Sequence, residues 1–314
     1  MKILITEKTR SPAEALNMLK NAGHELLEAS SPALQSPDDR KKLEDADAIL
    51  CYSFTKLDKD TLAAAKNLTH IVSCTTGLDH IDTGFCKQKG IHLIDAAGAN
   101  ADAVAEHTIA LLFAALRKIP HADATLRAGQ WVREPFSGEE LEGKTFGFLG
   151  FGRIGKLVAK KLRGFDLAFL VYDPYLSDAD VEKTGKELGV SVKKVGSIET
   201  VLKNSQIVSL HLPLTPETKN MIGKKEFALM RNAIFLNTSR GGIVDEQALA
   251  DALQNGQLLG AGLDVFSQEP LQKSPLLSLP NAILTPHIAT MTTKASWEMA
   301  MTGAKKFLES TANV

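Results

Sequence analysis

Short apolar runs alternate along the chain with longer stretches in which apolar residues recur at helical spacing. This alternation is typical of β-α-β units around a parallel sheet, so it predicts the α/β class with two doubly wound sheets. The strands predicted for the first, smaller sheet are Lys2–Thr6, Glu25–Leu27, Ile49–Tyr52, His70–Ser73 and Ile91–Ile94. Those predicted for the second sheet are Thr145–Leu149, Leu167–Tyr172, Ile207–Leu212, Ala233–Asn237, Leu259–Asp264 and Ala282–Leu284.

The length of 314 residues exceeds the usual size of one hydrophobic core, so two domains are expected. Residues Asp102–Lys118 are rich in Ala and Leu and contain no helix breaker, which predicts a helix that joins two lobes. The segment Ala128–Gly143 shows no clear periodicity. It predicts a loop or arm that precedes the second sheet.

Charge and cysteine content narrow the classes of partner. The 36 Lys and Arg residues nearly balance the 37 Asp and Glu residues, so neither nucleic acid nor an anionic membrane surface is an expected partner. The N-terminus enters a strand without a signal peptide pattern, and the apolar run Ile109–Leu116 is too short for a membrane span. An odd number of cysteines favours a reducing compartment, so a cytoplasmic protein is expected. The histidines show no metal-ligand spacing, and no metal is predicted.

A glycine motif stands between a predicted strand and a predicted helix, as Gly150-Phe151-Gly152-Arg153-Ile154-Gly155. In that position Gly150 makes a tight turn, Gly152 lets the backbone approach a pyrophosphate, and Gly155 allows close helix packing. Asp173 ends the next strand, where a carboxylate binds ribose hydroxyls and repels a 2′-phosphate. The predicted cofactor is therefore NAD rather than NADP.

Three polar side chains follow strands of the second sheet. Arg240 offers a planar guanidinium that can bind the carboxylate of a 2-oxo acid and polarise its carbonyl. His287 is the candidate acid/base, because reduction of a carbonyl requires a proton donor beside the hydride donor. Glu269 is the expected partner that fixes the tautomer of His287 and raises its pKa. Together they predict hydride transfer to or from a small 2-oxo or 2-hydroxy acid.

The motifs FGFLGFGRIG, NTSRGGIVDE, GLDVFSQEP and LTPHIAT resemble the D-isomer-specific 2-hydroxyacid dehydrogenase family in order and spacing, over nearly the whole chain. The resemblance implies that Arg240, Glu269 and His287 are catalytic. The cofactor-binding residues that it implies are Gly150, Gly152, Arg153, Ile154, Gly155, Asp173, Leu212, Pro213, Thr238, Asp264 and Thr108, with Asp264 on the nicotinamide carboxamide. The implied substrate-binding residues are Thr76, Gly77, Leu78 and Arg240.

The same resemblance implies a domain organisation. A Rossmann NAD-binding domain, residues 100–287, is inserted into a discontinuous flavodoxin-like substrate domain, residues 1–99 and 288–314. Members of the family are typically homodimers through the cofactor domain. The resemblance therefore implies a role in dimerisation for the arm Ala128–Gly143.

The substrate stays open at this point. Phosphoglycerate dehydrogenases of the family carry arginines where this chain has Tyr52 and Ser73, so an unphosphorylated acid such as glyoxylate or hydroxypyruvate is favoured. Tyr52, Phe54 and Thr75 could instead shape a pocket for a larger apolar side chain. The motifs are also compatible with a phosphoglycerate dehydrogenase, with an NAD-sensing protein similar to corepressors, and with a formate or phosphite dehydrogenase.

Overall fold

The structure is a computed structural model that describes residues 1–312. The chain folds into two compact units. One contains residues 1–100 together with residues 290–312, and the other contains residues 101–289. The assignment of these segments to substrate and cofactor stays a prediction.

The first unit is built on a parallel sheet with the strand order β2-β1-β3-β4-β5. Its strands are β1 Lys2–Ile5, β2 Glu25–Glu28, β3 Ala48–Cys51, β4 His70–Ser73 and β5 His92–Asp95. Its helices are α1 Ala13–Asn21, α2 Pro37–Asp45, α3 Lys59–Ala64, α4 Thr83–Lys89 and α12 Thr293–Thr311. The apolar strands β3 and β4 are buried along their whole length, as expected of a parallel sheet with helices on both faces.

The C-terminal helix α12 completes the core of this first unit. Its N-cap residue Thr292 accepts a hydrogen bond from the Ala295 N–H at 3.0 Å. Gly303 allows the helix to approach Val72, since a Cβ at this glycine would lie 2.9 Å from the Val72 Cγ1. Phe307 of the same helix is buried in the core.

The second unit contains a parallel sheet with the order β12-β11-β10-β9-β6-β7-β8. Its strands are β6 Thr145–Leu149, β7 Ala168–Tyr172, β8 Val192–Lys194, β9 Ile207–Leu210, β10 Ala233–Asn237, β11 Leu258–Leu263 and β12 Ala282–Leu284. Its helices are α5 Ala101–Leu116, α6 Ile119–Arg127, α7 Arg153–Lys161, α8 Asp178–Leu188, α9 Ile198–Asn204, α10 Lys224–Phe227 and α11 Glu246–Gln254. Strand order reverses between β6 and β9, and ligands of open α/β sheets bind at the carboxyl edge of such a reversal.

The two parallel sheets confirm the predicted fold class, and every predicted strand overlaps an observed one. The predicted joining helix is α5, and Leu111 on it packs closely on Gly262 of β11. The edge strand β8 was not predicted, and the helix α6 lies where no element was predicted. The predicted arm contains only a short 3-10 turn, Glu134–Phe136.

Two kinds of feature are absent from residues 1–312. None of the helices found there has both the length and the apolar character that a membrane crossing requires. No three of the His, Cys, Asp and Glu side chains described there are grouped so that they could hold a metal ion.

The cysteines Cys51, Cys74 and Cys86 are buried and form no disulfide.

Candidate active site

A tight turn joins β6 to α7 at the carboxyl edge of the seven-stranded sheet. Gly150 adopts φ +87°, in the left-handed region, and a Cβ at this position would overlap the carbonyl group of His211. Gly152 is the N-cap residue of α7, and the space beside it is open. Within the described chain no side chain caps this terminus, so the first amides of α7 are available to an anion.

The other residues of the glycine motif lie in the first turn of α7. Arg153 is exposed and Ile154 is half-buried, whereas Gly155 is buried. A Cβ at Gly155 would lie 3.1 Å from the carbonyl oxygen of Gly150, which shows how closely the helix packs on the turn. An open N-cap glycine and an uncapped helix terminus fit the pyrophosphate of a dinucleotide.

Asp173 is tied to the glycine turn by its carboxylate. Oδ2 accepts a hydrogen bond from the Phe151 N–H at 2.9 Å, and Oδ1 accepts one from the Tyr175 N–H at 3.0 Å. The residue is half-buried. Because each carboxylate oxygen can accept more than one hydrogen bond, Asp173 retains capacity for ribose hydroxyls.

Four further predicted cofactor residues, Leu212, Pro213, Thr238 and Thr108, follow β9 and β10 or lie on α5. Leu212 is half-buried and Pro213 is exposed, just beyond β9. The Thr108 hydroxyl donates to the carbonyl oxygen of Val104 at 2.8 Å, so it accepts from the Thr238 hydroxyl at 2.7 Å. Thr108 is fully buried and supports Thr238 from α5. A direct contact between Thr108 and the cofactor stays a prediction.

Arg240 follows β10 in a turn that the side chain of Asn237 closes. Asn237 Oδ1 accepts hydrogen bonds from the N–H and the hydroxyl of Ser239 at 3.0 and 2.8 Å, while Nδ2 donates to the Arg240 carbonyl at 2.9 Å. Nη1 of Arg240 donates to the Ser239 carbonyl at 2.7 Å. A Cβ at Gly241 would overlap the backbone of Phe266, so only glycine lets this turn approach the segment after β11.

His287 and Glu269 form a hydrogen-bonded titratable pair. His287 Nδ1 lies 2.7 Å from Glu269 Oε2, and the Phe266 N–H donates to Glu269 Oε1 at 3.0 Å. The two side chains are 45% and 35% exposed, respectively. Since Nδ1 is engaged by the carboxylate, Nε2 is the ring nitrogen left for proton exchange with a substrate.

The electrostatics of this pair favour its ionised form. The hydrogen bond with Glu269 raises the pKa of His287, against opposing effects of burial and of the Arg240 charge. Burial acts to raise the pKa of Glu269, but the hydrogen bonds from His287 and from the Phe266 N–H outweigh it and lower this pKa. The imidazolium therefore persists to higher pH than a free histidine allows.

Asp264 follows β11 and is fully buried. Its Oδ1 accepts from the Ile288 N–H at 2.9 Å and from the Thr285 hydroxyl at 2.6 Å, and its Oδ2 accepts from the Ala289 N–H at 2.8 Å. The carboxylate thus binds two backbone amides after His287 and one side-chain hydroxyl before it. Its contact with the nicotinamide carboxamide stays a prediction.

The predicted substrate loop follows β4 in the first unit. The Thr75 hydroxyl donates to the Gly77 carbonyl at 2.6 Å, and the Thr76 hydroxyl donates to Asn100 Oδ1 at 2.7 Å. Thr76 is exposed, and Leu78 is half-buried. These hydrogen bonds order the loop, while its role in holding the substrate carboxylate stays a prediction.

Arg10, a cation at the carboxyl edge of the five-stranded sheet, was not among the predicted site residues. Tyr52 is 2% exposed and its hydroxyl donates to the Arg10 carbonyl at 2.8 Å, so it is a core residue and does not shape a surface pocket. The guanidinium of Arg10, in the 3-10 turn after β1, lies 4.3 Å from the ring centroid of the exposed Phe54. The two residues are far apart in sequence, and only the pairing of β1 with β3 brings their loops together.

Comparison with known proteins identifies the family. Residues 109–289 match the family model described as D-isomer specific 2-hydroxyacid dehydrogenase, NAD binding domain. The chain belongs to this dehydrogenase family. The match confirms the resemblance drawn from the motifs, and it confirms NAD as the cofactor.

Relatives within the dehydrogenase family carry different substrate names. The D-3-phosphoglycerate dehydrogenase of Methanocaldococcus jannaschii is 39% identical over 296 residues, which are 94% of this chain and 54% of that protein. The chain therefore spans about half the length of this relative. The glyoxylate reductase of Thermofilum pendens is 38% identical over 305 residues, which are 95% of this chain and 88% of that protein.

Solved structures of the same fold include a D-lactate dehydrogenase from Aquifex aeolicus in complex with NAD and lactic acid. It superimposes with a TM-score of 0.82 at 28% identity, and the match covers 99% of this chain and 96% of that one. The names of these relatives agree on the reaction class and differ in the acid.

Proposed function

We propose that this member of the 2-hydroxyacid dehydrogenase family uses NAD to interconvert a small 2-oxo acid and the corresponding D-2-hydroxy acid. The observation that carries the proposal is the pair of His287 and Glu269 at 2.7 Å, on segments that follow β11 and β12, beside the Arg240 turn after β10. The uncapped N-terminus of α7 lies at the carboxyl edge of the same sheet.

Each of the three predicted catalytic residues has a separate role in the proposed reaction. Bound NAD supplies or accepts the hydride. In the direction of reduction, Arg240 binds the substrate carboxylate and polarises the carbonyl, and protonated His287 donates its Nε2 proton to the carbonyl oxygen. Glu269 holds Nδ1 and stabilises the imidazolium. In the direction of oxidation, neutral His287 accepts the hydroxyl proton.

The substrate that we favour is unphosphorylated, such as glyoxylate or hydroxypyruvate. The support for it is the burial of Tyr52 and Ser73, at the positions for which the family resemblance implies arginines in phosphoglycerate dehydrogenases. Buried neutral side chains at these positions leave a phosphate without its usual cations.

A phosphorylated 2-oxo acid is the second candidate substrate. Arg10 supplies a cation at the carboxyl edge of the five-stranded sheet, where the sequence predicted no positive charge. Its guanidinium contacts Phe54 and approaches the Met291 sulfur at 4.0 Å. Among the described residues, no carboxylate lies within 4.0 Å of it. This leaves the guanidinium open to an anion.

A substrate panel decides between these candidates. We expect NADH oxidation with glyoxylate or hydroxypyruvate at a higher kcat/KM than with hydroxypyruvate 3-phosphate, and NAD reduction with only the D-enantiomer of each chiral 2-hydroxy acid. The Arg10→Gln variant is the matched control, since it should affect only a phosphorylated substrate. A higher kcat/KM for hydroxypyruvate 3-phosphate than for the unphosphorylated acids would establish the second candidate, provided that Arg10→Gln abolishes this preference. NAD binding without turnover of any acid would favour a sensor similar to corepressors.

We propose that the chain forms a homodimer through α6 and the arm that follows it. The support is a run of exposed apolar side chains there, including Trp131, which is 73% exposed; the others are Ile119, Leu126 and Val132. Sedimentation equilibrium should give twice the chain mass, and a monomer would contradict the proposal. The free, buried cysteines support a cytoplasmic location for this dimer.

A further inference from the structure

The backbone at the proposed acid/base is held in a conformation that a histidine rarely adopts. His287 has φ +53°, in the left-handed region, and its N–H donates to the Thr285 carbonyl at 3.0 Å. Such a conformation costs free energy and persists only when neighbouring contacts impose it. The orientation of the imidazole therefore depends on groups outside the His287–Glu269 pair.

The contacts that impose it converge on the Asp264 carboxylate. Its two oxygens accept the N–H groups of Ile288 and Ala289, the residues that directly follow His287. The Thr285 hydroxyl, two residues before His287, donates to the same carboxylate at 2.6 Å. Asp264 thus fixes the chain both before and after the proposed acid/base.

A second histidine, His107 on α5, completes this arrangement from a distant part of the sequence. Its Nε2 lies 2.9 Å from the Thr285 hydroxyl oxygen and 3.4 Å from Asp264 Oδ1. The single hydroxyl proton of Thr285 is committed to the carboxylate, the closest and strongest acceptor. The hydroxyl oxygen must then accept a proton from His107, which places a hydrogen on its Nε2.

We propose that His107 is a positioning residue for the reaction, acting through Thr285 and Asp264 on the backbone of His287. The Nε2–H group of His107 directs the Thr285 hydroxyl toward Asp264, and the carboxylate in turn holds the two amides after His287. This inference rests on the proposed function for its consequence in catalysis. The geometric part stands on hydrogen bonds within the second unit alone.

The pKa of the Asp264 carboxylate reflects the hydrogen bonds that it accepts. Burial acts to raise the pKa of Asp264, but the hydrogen bonds from His107, Thr285 and the two amides outweigh it, so the pKa is lowered. Hydrogen bonds in a chain polarise one another, so loss of the His107 donor weakens the bond from the Thr285 hydroxyl to the carboxylate. The groups that face His287 are Glu269, Asp264 and Arg240, so displacement of His287 changes its distance from each of them.

The variants His107→Leu and His107→Gln form a matched pair for the test. Both residues are good helix formers, so α5 is preserved. Glutamine places an amide N–H near the position of Nε2, whereas leucine has no donor. Thr285→Val removes the hydroxyl that connects His107 to the carboxylate, and it provides a second route should His107→Leu fold poorly.

Two readouts are measured in the full chain. The first is the pKa of His287, from NMR titration of its ring carbon-proton signal, assigned by its loss in His287→Gln. The second is kcat and KM for the best acid of the panel. We expect His107→Leu to move the pKa of His287 down toward that of a free histidine and to lower kcat about tenfold, with a smaller change in KM. His107→Gln should restore both values.

The pattern across variants decides the outcome. Thr285→Val should reproduce the effect of His107→Leu, and the double variant should add nothing further, because both remove the same interaction. An unchanged pKa of His287 in His107→Leu and Thr285→Val overturns the positioning role, whatever the activity. Equal changes in His107→Leu and His107→Gln overturn the donor role. If the parent turns over no acid, the proposed function fails while the NMR titration still tests the inference.

Discussion

Replacing His287 with alanine should lower kcat for the reduction of a 2-oxo acid by about two to four decades, the usual contribution of a positioned acid/base. NADH should still bind with the affinity of the parent, because His287 lies after β12, whereas the glycine turn lies between β6 and α7. Steady-state kinetics and a fluorescence titration with NADH provide the two measurements.

His92 offers a matched control, since it is an exposed histidine at the first position of β5, the end opposite the carboxyl edge of that strand. His92→Ala should retain the parent kcat, and undiminished turnover in His287→Ala would refute the acid/base assignment.

The same assignment fixes the direction of the pH dependence. Reduction requires protonated His287, and Glu269 raises the pKa of that histidine, so the rate should fall as pH rises through the raised value. Glu269→Gln removes the negative charge, and the fall should then occur at lower pH.

The central strands of both sheets were predictable because their apolar runs are buried on two faces. Strand β10, for example, is fully buried and apolar up to Asn237, and β9 is fully buried and apolar except for Ser209. Strand β8 was missed because it has three residues, two of them lysines, and lies at the edge of the sheet with little burial. Its strand character comes from pairing with β7 rather than from its own composition.

In the candidate site, too, some residues were predictable from the sequence and one contact was not. Arg240, Glu269 and His287 were predictable because each sits in a motif directly after a strand, and parallel strands end at one edge of the sheet. The hydrogen bond from His107 to Thr285 was not, since it joins residues 178 positions apart and depends on how α5 packs against the sheet. Contacts of this kind leave no local pattern in a single sequence.

Asp173 should control the choice between the two nicotinamide cofactors. In Asp173→Asn we expect the preference for NADH over NADPH, measured as a ratio of kcat/KM values, to fall by about two decades. The physical reason is that a carboxylate close to a 2′-phosphate repels it by an amount on the order of 2 to 4 kcal/mol near a protein surface. Asparagine has the shape of the aspartate without its charge.

Asp173→Ala separates this repulsion from the hydrogen bonds of the carboxylate. Alanine removes the charge and also the acceptors for the Phe151 and Tyr175 N–H groups, which asparagine retains in part. Both variants should therefore gain activity with NADPH, whereas only alanine should also raise the KM for NADH strongly, because the Phe151 N–H belongs to the glycine turn. A preference for NADH that survives in both variants would mean that another group excludes the 2′-phosphate, and Asp173 would be left with the structural task of tying β7 to that turn.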